Sequence, residues 1–131
     1  MPDKTRGAGL KVLVIDDDPG VCNTLTVLLG EEGFEVLGAS SGEDGIGIAR
    51  ENNPDIILLD IEMPGMAGPK VCRILKEDPA TAEIPIVFLT GKLNLDAMEV
   101  TLDGVAQGYI MKPFSQFDLL DKIDEVLDLS V

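Results

Sequence analysis

The stretch that decides the fold is Pro54-Asp-Ile-Ile-Leu-Leu-Asp60-Ile-Glu-Met-Pro64-Gly65. Residues 56–59 are apolar without alternation, which is typical of a strand covered on both faces. The strand ends on a carboxylate, Asp60, and Pro64 with Gly65 prevents the chain from continuing as strand or helix. An aspartate at a strand end is commonly only a turn former, so its role depends on what the other strand ends carry.

Four further apolar segments predict strands, at residues 11–16, 34–39, 86–90 and 108–113. Helical patterns alternate with them. Asp18, followed by Pro19, is expected to cap the first helix, and Ser40 or Ser41 the second. A third helix is expected at 70–77 and a weaker one at 95–103, and a last helix starts at about Ser115 with Phe117, Leu120, Ile123 and Leu127 on one face. Alternating strands and helices predict a parallel sheet with right-handed crossovers. We therefore expect an α/β fold with a five-stranded parallel sheet in the order 2-1-3-4-5, doubly wound with five helices.

Length and charge limit the class of protein. The 131 residues suffice for one domain, with residues 1–9 expected as a flexible N-terminal tail and 10–131 as the domain. Because the sequence lacks a membrane-spanning run and a signal peptide, we expect a soluble cytoplasmic protein with no membrane contact. The formal net charge of -14 argues against direct nucleic acid binding.

The chain has no histidine, which excludes a Ser-His-Asp triad, imidazole metal ligands and a phosphohistidine of its own. Its two cysteines, Cys22 and Cys72, are too few for a disulfide framework or a zinc site. Their predicted helices lie on opposite faces of the sheet. We therefore expect reduced core thiols that form no disulfide.

Polar residues follow four of the predicted strands: Asp16 and Asp17 after the first, Asp60 after the third, Thr90 after the fourth and Lys112 after the fifth. In open parallel sheets the carboxyl ends of the strands, near the topological switch point, form the ligand site. Converging carboxylates repel one another unless a cation is present, and an all-oxygen ligand set selects a hard ion, most plausibly Mg2+.

Because Mg2+ commonly binds carboxylates together with phosphate oxygens, a phosphoryl group is the natural partner of this site. Lys112 supplies a positive charge and Thr90 a hydroxyl donor for the oxygens of that group. With no histidine, serine or cysteine available in the site, the nucleophile should be a carboxylate that forms an acyl phosphate. Asp60, which faces both the acids and the lysine, is our candidate.

Four motifs resemble, in order and spacing, the signatures of the receiver domain of two-component response regulators. They are Ile15-Asp16-Asp17-Asp18-Pro19, Leu59-Asp60-Ile-Glu-Met-Pro64-Gly65, Leu89-Thr90 and Tyr109-Ile-Met-Lys112-Pro113-Phe114, and the resemblance runs from about Leu10 to the C-terminus. Ala67 departs from the family pattern, which commonly has an aspartate there. The resemblance implies a flavodoxin-like fold and a phosphorelay function.

The resemblance implies that Asp60 accepts a phosphoryl group from a sensor histidine kinase or a histidine phosphotransfer protein. Asp17 and Asp60 would ligate Mg2+ directly, Asp16 largely through water, and the backbone carbonyl of Glu62 would complete the shell. Lys112 would contact the phosphoryl group. The Lys112–Pro113 peptide bond is typically cis in the family. Such a domain is not a conventional enzyme, since it only phosphorylates and dephosphorylates itself.

Signal output is also implied by the resemblance. Thr90 would rotate inward and Tyr109 would follow, which changes the face formed by helix 4, strand 5 and helix 5. That face would bind a downstream effector domain or protein or, after phosphorylation, a second copy of the chain. We further expect Glu62 and Lys92, at the mouth of the site, to tune the lifetime of the phosphoryl group.

Two rival functions use similar topology or chemistry. A Mg2+-dependent aspartyl phosphatase or phosphotransferase for small molecules needs a second acid two residues after the nucleophile, where Glu62 stands, but also a cap that the sequence has no insertion to form. A flavin-binding module needs a loop of serine, threonine and glycine after the first strand. The three aspartates found there exclude it.

Overall fold

The computed structural model describes residues 8–91 and 106–127. Along these ranges the elements are β1 (Lys11–Ile15), α1 (Pro19–Glu31), β2 (Glu35–Ala39), α2 (Gly42–Asn52), β3 (Ile56–Asp60), α3 (Gly68–Glu77), β4 (Ile86–Thr90), β5 (Gly108–Met111) and α4 (Gln116–Leu127). The strands form one parallel sheet in the order β2-β1-β3-β4-β5. The predicted fold class and strand order are confirmed. The helix predicted at 95–103 lies outside the described residues, so α4 is the predicted fifth helix.

Helices cover both faces of the sheet and create two apolar layers. Side chains of α2 and α3 pack on one face around Phe88, and those of α1 and α4 pack on the other around Val87. Every residue of β3 and β4 is buried. This explains the unalternating apolar runs of these strands, since both faces of a central parallel strand exclude water.

Helix termini are set by local hydrogen bonds of the kind that the sequence predicts. Asp18 caps α1 by accepting a hydrogen bond from the backbone N–H of Gly20 at 2.8 Å, and Ser41 caps α2 through the N–H of Asp44 at 3.2 Å. Asn53 ends α2 in the left-handed region, at φ 47°. Within the described ranges, no helix has the length and apolar character needed to cross a membrane.

The predicted apolar face of the last helix is partly wrong. Leu119, Leu120 and Ile123 are buried, whereas the Phe117 side chain is 79% exposed. At about 100° of rotation per residue, the buried positions share an arc of roughly 100°, and Phe117 falls beyond its edge. The spacing of apolar residues identified the helix but did not define which side faces the sheet.

The two cysteines lie on opposite faces of the sheet, and both are free thiols. Burial raises the pKa of the Cys72 thiol to about 11, and burial together with the nearby Asp16 carboxylate raises that of Cys22. A raised pKa disfavours the reactive thiolate. Both residues are therefore structural, as the sequence predicts.

Candidate functional site

An open cleft of about 480 Å³ lies at the carboxyl ends of the central strands. The switch point between β1 and β3 places it there, because the chain leaves these two neighbouring strands toward opposite faces of the sheet. The cleft brings together five of the predicted site residues with two others, and its lining consists of Asp16, Asp17, Asp18, Asp60, Glu62, Gly91 and Lys112.

Three carboxylates converge in this cleft. Asp16, Asp17 and Asp60 each place one oxygen so that all three atoms lie within 4.8 Å of one another. Asp16 is 1% and Asp60 6% exposed, whereas Asp17 is open to solvent. Oxygen ligands that include two buried acids and one accessible acid suit a hard divalent cation that enters from solvent and keeps part of its water.

Lys112 reaches the two buried carboxylates from the end of β5. Its Nζ atom lies 3.0 Å from Oδ2 of Asp16 and 3.5 Å from Oδ1 of Asp60. The backbone N–H of Lys112 donates to the carbonyl of Thr90 at 2.6 Å, and the Lys112–Pro113 bond is cis. Burial lowers the pKa of the ammonium group, but the hydrogen bond and charge of Asp16 and the charge of Asp60 outweigh it, so the pKa is raised. Lys112 therefore remains a cation in the site.

The electrostatic balance of the site is unfavourable for Asp60 as an anion. Burial and then the Asp16 charge raise the pKa of the Asp60 carboxyl from 3.8 to about 6, although Lys112 and a hydrogen bond from the backbone of Glu62 act in the opposite direction. Three carboxylates with one ammonium leave about two negative charges uncompensated when all are ionised. Such a site attracts a divalent cation.

Thr90 and Tyr109, the predicted switch residues, lie on the neighbouring strands β4 and β5. Thr90 ends β4 with 3% of its surface exposed, beside Met111 of β5. Tyr109 stands opposite Phe88 and packs, half-buried, on the apolar layer that contains Phe88. Neither Thr90 nor Tyr109 belongs to the cleft lining given above. Lys92 lies outside the described residues.

Sequence reasoning treated Asp18 only as a helix cap, but the residue also organises the cleft. Its backbone N–H donates to Oδ1 of Asp16 at 2.9 Å, which fixes one oxygen of that carboxylate. The signal was present, because an aspartate commonly accepts a hydrogen bond from the backbone two residues further along. Gly91 also lines the cleft.

Comparison with known proteins identifies the family. The family model described as the response regulator receiver domain matches residues 12–124. The DNA-binding response regulator MtrA of Mycolicibacterium smegmatis is 38% identical over 113 residues, which cover 86% of this chain and 48% of that protein. Protein PilH of Pseudomonas aeruginosa is 38% identical over 120 residues, which cover 89% of this chain and 97% of PilH.

Solved structures agree with this result. The chemotaxis protein CheY4 of Vibrio cholerae superposes with a TM-score of 0.85 at 28% identity, covering 92% of this chain and 100% of that one. A response regulator of Chloroflexus aurantiacus gives a TM-score of 0.83 at 30% identity, covering 91% of this chain and 98% of that one.

Together, the fold and the acidic cleft define a phosphoacceptor signalling domain of two-component systems. The chain belongs to the response regulator receiver domain family, as the four motifs predict. It spans about half the length of the MtrA relatives that it matches. The comparisons do not favour the small-molecule phosphatase as an alternative.

Proposed function

We propose that Asp60 accepts a phosphoryl group from a phosphohistidine of a sensor histidine kinase or a histidine phosphotransfer protein. The observation that carries this proposal is the position of Asp60, whose carboxylate faces two further acids and the Lys112 ammonium in one open cleft. A phosphoryl donor reaches Asp60 through the mouth of the cleft. The short distance to Lys112 supplies a positive charge where the phosphoryl oxygens would lie.

In the transfer step, a carboxylate oxygen of Asp60 attacks phosphorus and forms a P–O bond. The P–N bond of the donor breaks, and its electron pair goes to the leaving imidazole nitrogen. Lys112 stabilises negative charge on the phosphoryl oxygens, and the Thr90 hydroxyl donates to one of them. The product is an acyl phosphate on Asp60, which water later hydrolyses. The chain thus undergoes its own phosphorylation and dephosphorylation and is not a conventional enzyme.

We assign Mg2+ to the three carboxylates because the donor set fits a hard cation. Asp17 and Asp60 would bind it directly, Asp16 largely through water, and the backbone carbonyl of Glu62 would supply a further oxygen. When bound, Mg2+ neutralises the negative charge that accumulates between the carboxylates and the phosphoryl group. Asp18 holds Asp16 in place through the hydrogen bond to Oδ1.

Signal output follows from occupation of the site by the phosphoryl group. The Thr90 hydroxyl moves toward that group, and Tyr109 fills the space which this movement leaves. The face that includes β5 and α4 then gains affinity for an effector domain, a partner protein or a second copy of the chain. The predicted helix 4 of this face lies outside the described residues. Met111 of β5 and Phe117 of α4 are exposed apolar residues on these two elements, and each is available to a partner.

The output does not require this chain to contact nucleic acid. MtrA is named as a DNA-binding protein, but the matched region covers only 48% of it. The formal charge of -14 opposes binding to a phosphate backbone. We therefore assign any nucleic-acid contact to a partner or an effector domain, and not to the receiver domain itself.

The experiment that tests the function is incubation with acetyl phosphate, with and without Mg2+. We expect intact-protein mass spectrometry to detect one added phosphoryl group that requires Mg2+ and is removed by hydroxylamine, as acyl phosphates are. A small-molecule phosphatase would instead release inorganic phosphate from sugar phosphates over many turnovers. Multiple turnover of such substrates, with no labelling of the chain, would contradict the proposal.

The metal assignment predicts that Mg2+ stabilises the fold. At tenfold excess over its Kd, a ligand contributes about 1.4 kcal/mol, which corresponds to a Tm increase of roughly 3–6 °C for a chain of this size. Thermal unfolding with and without Mg2+ measures this increase. Asp17→Ala should abolish most of it. An unchanged increase in this variant would place the metal elsewhere.

Glu62 and Lys92 are expected to limit access of water to the acyl phosphate by pairing across the mouth of the cleft. An exposed ion pair contributes only about 0–1 kcal/mol, so the effect on dephosphorylation is about tenfold at most. Glu62→Lys and Lys92→Glu should each accelerate loss of the phosphoryl group, and the double variant should restore the parental rate. Single variants whose rates stay within about twofold of the parent would rule out the gate.

A further inference from the structure

Gly68 is buried at the first turn of α3, where the helix meets the end of β3. A Cβ atom at this position would lie 2.5 Å from the backbone oxygen of Asp60, 2.8 Å from Cα of Ile61 and 3.2 Å from the carbonyl carbon of Asp60. Real Cβ atoms essentially never approach other atoms to less than 3.0 Å. All three neighbours are backbone atoms, so none can move aside without displacing the strand end.

Glycine is required at this position because there is no room for a side chain, and not because of the backbone conformation. The glycines in the left-handed region among the described residues are Gly9, Gly33 and Gly65. Gly68 lies outside that region, so alanine would be acceptable there if β3 were further away. The absence of a side chain thus serves the close approach of α3 to the end of β3.

A hydrogen bond depends on this close approach. The backbone N–H of Gly68 donates to the carbonyl of Ile61 at 3.0 Å, and the N–H of Ile61 donates to the carbonyl of Leu89 at 3.1 Å. Ile61 is therefore connected to both β4 and α3. The helix has no side-chain cap, because its N-cap residue is Ala67. The bond between Gly68 and Ile61 closes the loop that follows Asp60.

The loop closed in this way carries groups of the acidic cleft. The carbonyl oxygen of Asp60 occupies the position that a side chain of residue 68 would need. Glu62, which follows Ile61, donates its backbone N–H to the Asp60 carboxylate. Glu62 also lines the cleft. A methyl group at residue 68 requires the carbonyl oxygen of Asp60 to move by about 0.5 Å or more. This displacement of the backbone at residues 60 and 61 moves both the Asp60 carboxylate and the Glu62 backbone.

We propose that Gly68 is a positioning residue of the phosphoryl and metal site: by having no side chain, it lets α3 hold Asp60 and the backbone of Glu62 in the geometry that binds Mg2+. This proposal rests on the proposed function, since it assigns Mg2+ to Asp16, Asp17 and Asp60. Gly68 itself contacts neither the metal nor the phosphoryl group. Its effect passes through the backbone of residues 60–62.

The test is Gly68→Ala, with the Mg2+ Kd measured by isothermal titration calorimetry. We expect the Kd to rise by about tenfold, which is the size of effect that residues supporting metal ligands commonly have. In the metal-free protein, the amide resonance of Glu62 should shift in a 15N NMR spectrum. Both readouts report site geometry and do not require phosphorylation.

Two control variants distinguish an effect on the geometry of the metal site from a general loss of fold stability. Gly47→Ala is the same substitution in α2, where a Cβ would meet no atom within 4 Å, and it should leave the Mg2+ Kd unchanged. Ile57→Val lies in β3, fully buried and three residues before Asp60. It should lower Tm by about 1–6 °C without changing the Mg2+ Kd.

If Gly68→Ala fails to fold, the same change is introduced together with Gly30→Ala and Gly47→Ala, two helical positions with open space around the Cβ. These changes stabilise by restricting the unfolded chain. A Kd within about twofold of that background would overturn the proposal. Failure of the parent protein to bind Mg2+ would instead overturn the proposed function, so the two outcomes are distinguishable.

Discussion

Replacing Asp60 with asparagine is expected to reduce labelling by acetyl phosphate at least about 100-fold, because an amide oxygen is a poor nucleophile and cannot form the acyl phosphate. Asparagine nearly matches aspartate in size, so the packing around β3 should persist. Lys112 also retains its contact with Asp16 at 3.0 Å. The measurement is the hydroxylamine-labile phosphoryl group detected by mass spectrometry of the intact chain.

The matched control is Asp44→Asn, which makes the same chemical change at an exposed position in the first turn of α2. It should be labelled as fast as the parent. Circular dichroism of both variants verifies that the fold is intact. Labelling of Asp60→Asn at the parental rate would show that another carboxylate, for example Asp17, is the acceptor.

Asp60→Asn should also stabilise the metal-free protein at neutral pH. The pKa of the Asp60 carboxyl is raised from 3.8 to about 6 by burial and by Asp16. Between these two values the folded chain binds more protons at this group than the unfolded chain does. The free energy of unfolding therefore falls as pH rises through this window, and the loss is complete above about pH 7.

A shift of about two pKa units corresponds to at most about 3 kcal/mol, and we expect Asp60→Asn to recover roughly 1–2 kcal/mol of it at pH 7.5 without metal. This gain corresponds to a Tm increase of about 2–9 °C over the parent. Near pH 4 the advantage should disappear, because the carboxyl is protonated in the parent. Urea unfolding of both proteins across this pH range, in EDTA, gives the difference directly.

Two observations test the cause of this effect. Mg2+ should stabilise the parent and thereby reduce the advantage of Asp60→Asn at pH 7.5. The exposed Asp44→Asn variant should lack the gain in stability at pH 7.5 that Asp60→Asn shows. A stability difference for Asp60→Asn that is independent of pH would mean that the buried carboxylate carries no electrostatic cost.

The central part of the fold follows from sequence because its physical causes are local. Residues 56–59 and 86–89 are apolar without alternation, and both strands are buried on each face. Asp18-Pro19 and Ser41 mark the starts of α1 and α2 through caps that involve only the next few residues. Alternation of such strands with helices leaves few topologies, and the order β2-β1-β3-β4-β5 is one of them.

Predictions were weaker for features that depend on tertiary contacts, such as which residues of a helix are buried and where a helix begins. The exposure of Phe117 depends on which side of α4 faces the sheet, and a stripe of apolar residues includes positions at its margin. Likewise, α3 begins at Gly68, two residues before the predicted start. Its first turn packs against the backbone of Asp60, a contact that the sequence does not show. Neither the crowding at Gly68 nor the raised pKa of Asp60 has a signature in local sequence.

The contact between Lys112 and Asp16 joins residues 96 positions apart, and that between Lys112 and Asp60 joins residues 52 apart. Closing such long stretches of chain carries an entropic cost that contacts between neighbouring residues avoid. A nascent chain that ends before β5 holds both acids but not the lysine that offsets part of their charge. The cleft therefore reaches its charge balance only once β5 has joined the sheet.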